Sequence, residues 1–400
     1  MQLPGRVLVH LFFIFTLAGY LSASENIIII IIDGARYSET FGDPDYTYIP
    51  EMAAIAAEGT QLEHFYNDSI TYTSRAIPAL WCGSWTEVND IYYDGMNTKH
   101  AVKPTIFEYY RKHKNKPAEE CFYVIKQLSS LWLASFDSDY GPDYWPIYHS
   151  AGSTDAEVAS EAENVMDTYH PAFLLIYLAD VDSYGHSGNW ESYTNSIQKA
   201  DSITGLIWQK AQADPFYKDK TTLFVTNDHG RHDDQHGGFR CHGDGCDGCR
   251  HIMFLAAGPE IKTGFHSSVP RRIPDMAVTA GHILDFETPQ AAGEVMTEIL
   301  KQTDIGSKEI IPSNSALLQN YPNPFNASTA VTFQLSAACD VELSIFNTSG
   351  QKAAVLFSGR KPAGKHRITW DAQNFAGGIY FCRMTSGTGF SQTRKLVLLK

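Results

Sequence analysis

Three clusters of acidic and imidazole side chains stand directly after apolar runs of this 400-residue chain. Asp33 closes the run Asn26–Asp33. Asp182 and His186 follow Phe173–Leu178. Asp228 and His229 follow Thr222–Thr226. A later histidine, His242 or His236, can join them. Each piece alone is weak, since Asp-x-x-x-His and Asp-His-Gly both occur by chance. The joint pattern is informative because every cluster falls at the end of a run that reads as a buried strand. Mixed carboxylate and imidazole ligation suits zinc and, less strongly, manganese. Two such ions roughly 4 Å apart would clamp the attacking and leaving oxygens of an in-line displacement.

A nucleophile is available as well. Thr73 and Ser74 stand just before an apolar, helix-like run that reaches Gly83. A hydroxyl there could simply cap the helix. It would also sit among free backbone N–H groups that favour an anion. A metal beside it would generate the alkoxide.

The elements that must hold these groups can be read from the apolar pattern. Six consecutive isoleucines before Asp33-Gly34 predict a strand buried on both faces, at the centre of a parallel sheet. Ligands of such sheets gather at the carboxyl ends of the strands. Further strands are expected over Thr60–Tyr66, Cys121–Ile125, Phe173–Leu178, Thr222–Thr226 and His251–Ala257. Helices are expected over Pro50–Glu58, Thr105–Lys112, Asp155–Tyr169, Gly188–Ala213, Pro274–Phe286 and Ala291–Gln302. This alternation predicts an α/β fold, a doubly wound, mostly parallel sheet with helices on both faces. The segment Ser129–Ser150 reads as an aromatic, irregular surface insertion. Ile305–Ala316 reads as a linker. From Leu317 short alternating runs punctuated by Gly, Asn and Pro predict a small C-terminal all-β sandwich.

A formal charge of −14 argues against nucleic acid as the main partner. It is compatible with a phosphorylated substrate, because bound metal inverts the local field. Residues Val7–Leu21 are apolar, with Arg6 before and Ser22-Ala-Ser24 after, the pattern of a secretory signal peptide over residues 1–24. No other span of membrane length is present, so the mature chain is expected to be exported. Seven cysteines leave at least one unpaired if all bonds are internal. Cys241, Cys246 and Cys249 beside His242 could form a zinc knuckle, but a disulfide or loop staple is favoured outside the cell.

The ordered set Ile-Ile-Asp33-Gly, Thr73 with Gly83, Asp182-Ser-Tyr-Gly-His186, Asp228-His229-Gly and His242-Gly resembles the alkaline phosphatase superfamily. Within it the chain is most similar to the nucleotide pyrophosphatase/phosphodiesterase and phosphopentomutase-like branches. The resemblance covers roughly Asn26–Leu300, all of the domain expected at 25–304. It implies a two-metal hydrolase of phosphate esters, with zinc the favoured metal and manganese the other candidate. Carried over by motif, Asp182, His186 and His242 would hold one ion. Asp33, Asp228 and His229 would hold the other, with Thr73 as its nucleophile forming a phospho-threonine intermediate. The Cys/Ser-x-Pro-x-Arg motif of type I sulfatases is not matched by Thr73-Ser-Arg-Ala-Ile. The phosphodiesterase branch carries a phosphate-binding Asn some twenty residues after the nucleophile. Asp94 falls near that place, with Asn89 and Asn97 close by, and Arg75 could bind phosphate instead. The alternatives are a sulfate or phosphonate ester hydrolase and, from another class, a non-catalytic surface protein stabilised by metal.

A second resemblance covers 317–400. Leu318-Gln-Asn-Tyr-Pro-Asn-Pro-Phe-Asn326, Gly350, Gly364-Lys-His, Trp370-Asp and Gly378-Ile-Tyr-Phe are similar to the type IX secretion (Por) C-terminal sorting domain. That implies a bacterial protein that passes through the periplasm to the outer-membrane surface or medium, with the type IX machinery as partner.

Overall fold

The computed structural model describes residues 23–126, 133–301, 314–320, 323–387 and 389–399. Residues 1–22 of the expected signal peptide and most of the expected linker lie outside the described residues. The chain divides into two compact units, Met1–Lys301 and Gln302–Lys400.

The first unit runs β1 (Asn26–Ile32), α1 (Pro50–Ala57), β2 (Thr60–Tyr66), α2 (Thr73–Cys82), β3 (Val88–Tyr93), β4 (Met96–Ala101), α3 (Ile106–His113), β5 (Cys121–Ile125) and β6 (Ile147–Ser150). It continues with α4 (Asp155–Tyr169), β7 (Phe173–Leu178), α5 (Asp180–Ser187), α6 (Trp190–Ala213), β8 (Thr221–Thr226), α7 (Asp247–Arg250), β9 (His251–Ala257), β10 (Phe265–Ser267), β11 (Arg271–Arg272) and α8 (Ile273–Ile283). One sheet has the order β10-β2-β9-β8-β1-β7-β5-β6, with β11 also on β2. Its strands pair in parallel except where β9 runs against β2 and β8.

β1 lies between β7 and β8, and its isoleucines explain why. Successive side chains of a strand point to opposite faces. Ile27, Ile29 and Ile31 join the core formed with α2, α3 and α8, whereas Ile28, Ile30 and Ile32 join the core formed with α1, α4 and α6. All six are buried. Each contributes about 1.5–3 kcal/mol from removal of apolar surface, so the strand needs no polar residue for its own stability. The carboxylate that follows is free for chemistry. The fold is the α/β, mostly parallel, two-faced architecture expected from the alternation of elements.

Three local expectations are corrected. Ala291–Gln302 is not a helix among the described residues, which show only a short 3-10 turn at Thr297–Ile299. The N–H groups of Ala292 and Gly293 donate instead to the Gly83 carbonyl, and a Cβ at Gly293 would lie 2.1 Å from the Pro274 carbonyl oxygen. This extended segment is therefore pinned against the end of α2 and the start of α8. Within the aromatic insertion, Ile147–Ser150 forms the edge strand β6, parallel to β5, while Trp145 is buried in the core. The long helix expected from Gly188 begins at Trp190 and is preceded by α5, which ends at the left-handed Gly188.

The second unit consists of β12 (Ala316–Leu317), β13 (Phe325–Asn326), β14 (Ser328–Leu335), β15 (Cys339–Phe346), β16 (Lys352–Lys361), β17 (Gly364–Asp371), β18 (Gly378–Ser386) and β19 (Ser391–Leu399). They form a three-stranded sheet, β12-β14-β17, and a five-stranded sheet, β13-β19-β18-β15-β16. Phe333, Leu343, Ile345, Trp370 and Leu396 share their core.

Candidate active site

The three central strands end together. Ile32 is level with Leu178 on β7, and Ile31 is level with Thr226 on β8. One or two residues further on, this register brings Asp33 beside Asp228 and the start of α5. The Asp33 amide still donates to the Leu178 carbonyl at 2.9 Å, and the Gly34 amide to Asp228 Oδ1 at 3.4 Å.

Asp33, Asp228 and His229 present donor atoms within 4.8 Å of one another. His229 Nε2 lies 3.4 Å from Asp33 Oδ1 and 3.5 Å from Asp228 Oδ2. His229 Nδ1 is 2.8 Å from the Gly230 carbonyl. A carbonyl only accepts, so Nδ1 carries a proton, and Nε2 is the ring nitrogen turned toward two carboxylates. Asp228 Oδ2 is buried with no hydrogen-bond partner. Burial, with the charges of Asp228 and Asp182, pushes Asp33 well above the usual carboxylate range. Burial, with Asp182 nearby, pushes Asp228 up to about 7. An imidazole nitrogen and carboxylates converging with one acceptor left unsatisfied are the donor set of a divalent cation, so the residues fit the metal that the superfamily resemblance implies.

The second group is built in the same way. α5 puts Asp182 and His186 one turn apart on one face. His186 Nε2 is 3.3 Å from Asp182 Oδ2 and 3.2 Å from His242 Nε2. His242 Nε2 is 3.5 Å from Asp182 Oδ1. His242 donates through Nδ1 to the Thr71 carbonyl at 2.8 Å, so its Nε2 is a lone pair. Its ring stacks on that of His229, with centroids 3.9 Å apart. Burial and His229 lower the His242 pKa to about 4, which keeps the ring neutral. His236 is exposed and bonds Asp233 instead.

Thr73 is the first residue of α2, and Tyr72 occupies the cap without a side-chain capping bond. The Thr73 hydroxyl is thereby released from helix capping. It lies 3.0 Å from His229 Nε2 and donates to Asp33 Oδ1 at 3.4 Å. The first in-helix bonds run from the Arg75 and Ala76 amides to the Tyr72 carbonyl, so the Thr73 and Ser74 amides stand ahead of the helical ladder. Arg75 donates through Nη2 to the Thr86 carbonyl at 3.2 Å, and its Nε is buried without a partner. Asp94 makes no hydrogen bond or ion pair with this group among those described. It stands at the exposed tip of the β3–β4 hairpin, where Asp94 and Gly95 both have positive φ, 47° and 79°, as a two-residue hairpin turn requires. Asn89 and Asn97 lie on the same hairpin.

Two supporting residues have no signal in the spacing of the motifs. Tyr177 donates its hydroxyl to Asp33 Oδ2 at 2.5 Å from within β7. Arg231, fully buried, donates through Nη1 to Asp182 Oδ1 and through Nη2 to the Arg240 carbonyl at 3.0 Å. A Cβ at Gly185 would lie 2.4 Å from the Arg231 guanidinium carbon, so glycine in Asp182-Ser-Tyr-Gly-His186 makes room for this cation. Burial alone would raise the Asp182 pKa, but Arg231 and the surrounding imidazoles bring it below the ordinary value. The α5 N-terminus is anchored from α4, where Asp155 accepts from the Ala179 and Asp180 amides at 2.8 and 3.1 Å.

The sequence model of the type I phosphodiesterase / nucleotide pyrophosphatase family matches residues 27–239, which span β1 and the carboxyl ends of β7 and β8. The chain belongs to this family. That membership puts it among the phosphoric ester hydrolases. A secretion system C-terminal sorting domain matches residues 319–399. Among curated proteins, the 2,3-bisphosphoglycerate-independent phosphoglycerate mutase of Gracilaria tenuistipitata var. liui is 32% identical over 77 residues, 19% of this chain. The match spans only 14% of that relative's length. Among solved structures, human ectonucleotide pyrophosphatase/phosphodiesterase 5 is 14% identical and superimposes with a TM-score of 0.52, covering 69% of this chain and 100% of its own. A 2-O GAG sulfatase is 11% identical, with a TM-score of 0.55 over 87% of this chain and 85% of its own. An alkaline phosphatase PafA mutant is 10% identical, with a TM-score of 0.52 over 70% and 99%. At such identities these three share the fold.

The expected disulfide in the cysteine-rich loop is not formed. All seven cysteines are unpaired, and Cys246 and Cys249 Sγ are 3.6 Å apart. Among the described residues no helix is long and apolar enough to cross a membrane.

Proposed function

We propose that the first unit hydrolyses phosphate esters with Thr73 as nucleophile. The observation that carries this reading is the Thr73 hydroxyl, 3.0 Å from His229 Nε2 at the open start of α2. Thr71 gives its carbonyl to His242, and Ser74 has no hydroxyl contact with the cluster among the bonds described.

Asp33, Asp228, His229 and Thr73 would hold one divalent ion, and Asp182, His186 and His242 a second, with zinc best suited to this donor set. Bound there, such ions lower the pKa of the Thr73 hydroxyl and take up charge on the leaving oxygen. Thr73 Oγ attacks phosphorus, the bond to the ester oxygen breaks in line, and the alcohol leaves. Water then displaces Thr73 from the phospho-threonine and regenerates the hydroxyl. The amides of Thr73 and Ser74 meet the phosphate oxygens at the positive end of α2. Arg75, with its unpartnered Nε in the same turn, is the second phosphate contact. Tyr177 and Arg231 hold the Asp33 and Asp182 carboxylates in position by hydrogen bonding.

The sorting-domain match supports secretion through the type IX pathway, after which the second unit is removed and the enzyme acts on extracellular or surface substrates. The substrate class is tested by giving the purified chain mono- and diesters of phosphate, a phosphonate monoester and a sulfate ester. Cleavage of phosphate esters above the others, lost on chelation, supports the reading. Turnover of the sulfate or phosphonate ester alone overturns it.

A further inference from the structure

The segment between His229 and His251 contains a second set of donors, separate from those at the strand ends. His232 Nε2, Asp244 Oδ1 and Cys249 Sγ lie within 4.8 Å of one another. Their separations run 3.3 Å from His232 Nε2 to Asp244 Oδ1, 3.5 Å from Asp244 Oδ1 to Cys249 Sγ, and 3.6 Å from Cys249 Sγ to Cys246 Sγ. A tetrahedral zinc with bonds of about 2.0–2.1 Å to N and O and about 2.3 Å to S has edges of about 3.3 Å between N and O, about 3.5 Å between O and S, and about 3.8 Å between two sulfurs. These three of the six edges follow those values in order, and the Cys246 thiol, which also falls in a neighbouring donor group with Asp233 and His236, reaches the site through Cys249. His232 Nε2 is buried with no hydrogen-bond partner, although a carboxylate oxygen faces it. Cys249 is fully buried.

We propose that His232, Asp244, Cys246 and Cys249 form a structural zinc site that fixes the loop carrying His242. Cys246 caps α7 and Cys249 lies within it, so the Cys-x-x-Cys pair comes from one turn of backbone, a spacing zinc sites use. A disulfide would employ two of the four donors and leave His232 Nε2 without a hydrogen-bond partner, while Asp244 Oδ1 already accepts from the Cys246 amide at 2.9 Å. An ion employs all four, and its binding releases the two thiol protons. The site ties the two ends of the loop together. His232 is three residues past His229, and Asp244 is two residues past His242. The His232 amide also donates to the Cys241 carbonyl at 2.8 Å, and the Gly230 amide to the Cys249 carbonyl at 2.9 Å. The ion thus sets where His242 meets Asp182 and His186. The zinc site stands apart from the hydrolase reading, since none of the four donors is needed for the reaction.

The test is zinc K-edge X-ray absorption on the full wild-type chain, with metal content measured on the same sample. The expected result is zinc–sulfur scattering at about 2.3 Å, lost with one zinc per chain in Cys249→Ser and Asp244→Asn and kept in Cys241→Ser and Thr73→Ala. Cobalt-exchanged wild-type protein should show a thiolate-to-metal charge-transfer band, a readout that needs no variant to fold. Absence of sulfur from the zinc shell, or intact-mass evidence of a Cys246–Cys249 disulfide in the purified chain, would overturn the site. A wild-type chain that holds sulfur-bound zinc yet cleaves no phosphate ester would speak against the hydrolase reading alone.

Discussion

The Tyr177 hydroxyl donates to Asp33 Oδ2 at 2.5 Å, while Asp33 Oδ1 is the oxygen that faces Thr73 and His229. The two oxygens of one carboxylate therefore have different tasks. One is fixed by a buried phenol on the neighbouring strand, and the other is presented to the site.

Removing that phenol should loosen the carboxylate without touching the substrate. Tyr177→Phe keeps the packing, and by analogy with other outer contacts of metal ligands it should weaken metal affinity about 10–100-fold. Titration of the metal-free protein against a competing chelator measures this. Unchanged affinity would show that strand geometry alone orients Asp33.

Metal removal should have a pH signature. Without a cation, burial raises Asp33 above the ordinary 3.8 and Asp228 to about 7. Over that window the folded, metal-free chain holds protons that the unfolded chain has released. For Asp228 stability therefore falls as pH rises from 3.8 to about 7 and levels off above it, Asp33 acts in the same direction, and the penalty vanishes below 3.8. Chelation should lower Tm more at about pH 8 than at about pH 5, and reloading should release protons into the buffer. Calorimetry in buffers of different ionisation enthalpy counts those protons. An equal Tm loss at both pH values would contradict the account.

Two histidines were open at the sequence level, and they differ in environment. His242 meets Asp182 and His186, whereas His236 is exposed and bonded to Asp233. His242→Ala should lose one ion per chain and most of the activity, while His236→Ala should stay within about 3-fold of the parent enzyme. Metal analysis beside the rate decides between them. The reverse ranking would move the ligand to His236.

The second unit should be dispensable for catalysis. Deleting Leu317–Lys400 removes a separately packed core, so the remaining chain should fold, keep its rate and accumulate in the periplasm. Normal surface delivery of the truncated chain would refute a sorting role.

Strand ends were legible because the buried strands of a parallel sheet are written as short apolar runs, and Asp33, Asp228 and His229 follow such runs directly. Phe173–Leu178 and Asp155–Tyr169 could be read to the residue for the same reason, uninterrupted burial in one case and helical periodicity with a capping Thr154 in the other. What stayed hidden depends on contacts between segments far apart in the chain. Arg231 stands 49 positions from the Asp182 it holds, and Tyr177 reads as one more apolar residue of β7. Ala291–Gln302 has helix-forming composition, but Gly293 is pressed against α8, a constraint that only tertiary packing supplies. Asp94 was singled out by its distance from Thr73, yet Asp94-Gly95 is a hairpin-turn pair and the backbone used it as one.

The claim on which the rest depends is that Thr73 carries the phosphoryl group. Acid-quenched enzyme taken during turnover of a phosphate ester should show phosphate on Thr73 by peptide mass spectrometry. Thr73→Ala should lose the label and a rate factor on the order of 10⁴ or more while retaining its metal, and Thr73→Ser should keep part of the rate. Label on Ser74 or Thr71, or a Thr73→Ala rate near that of the parent enzyme, would contradict the account.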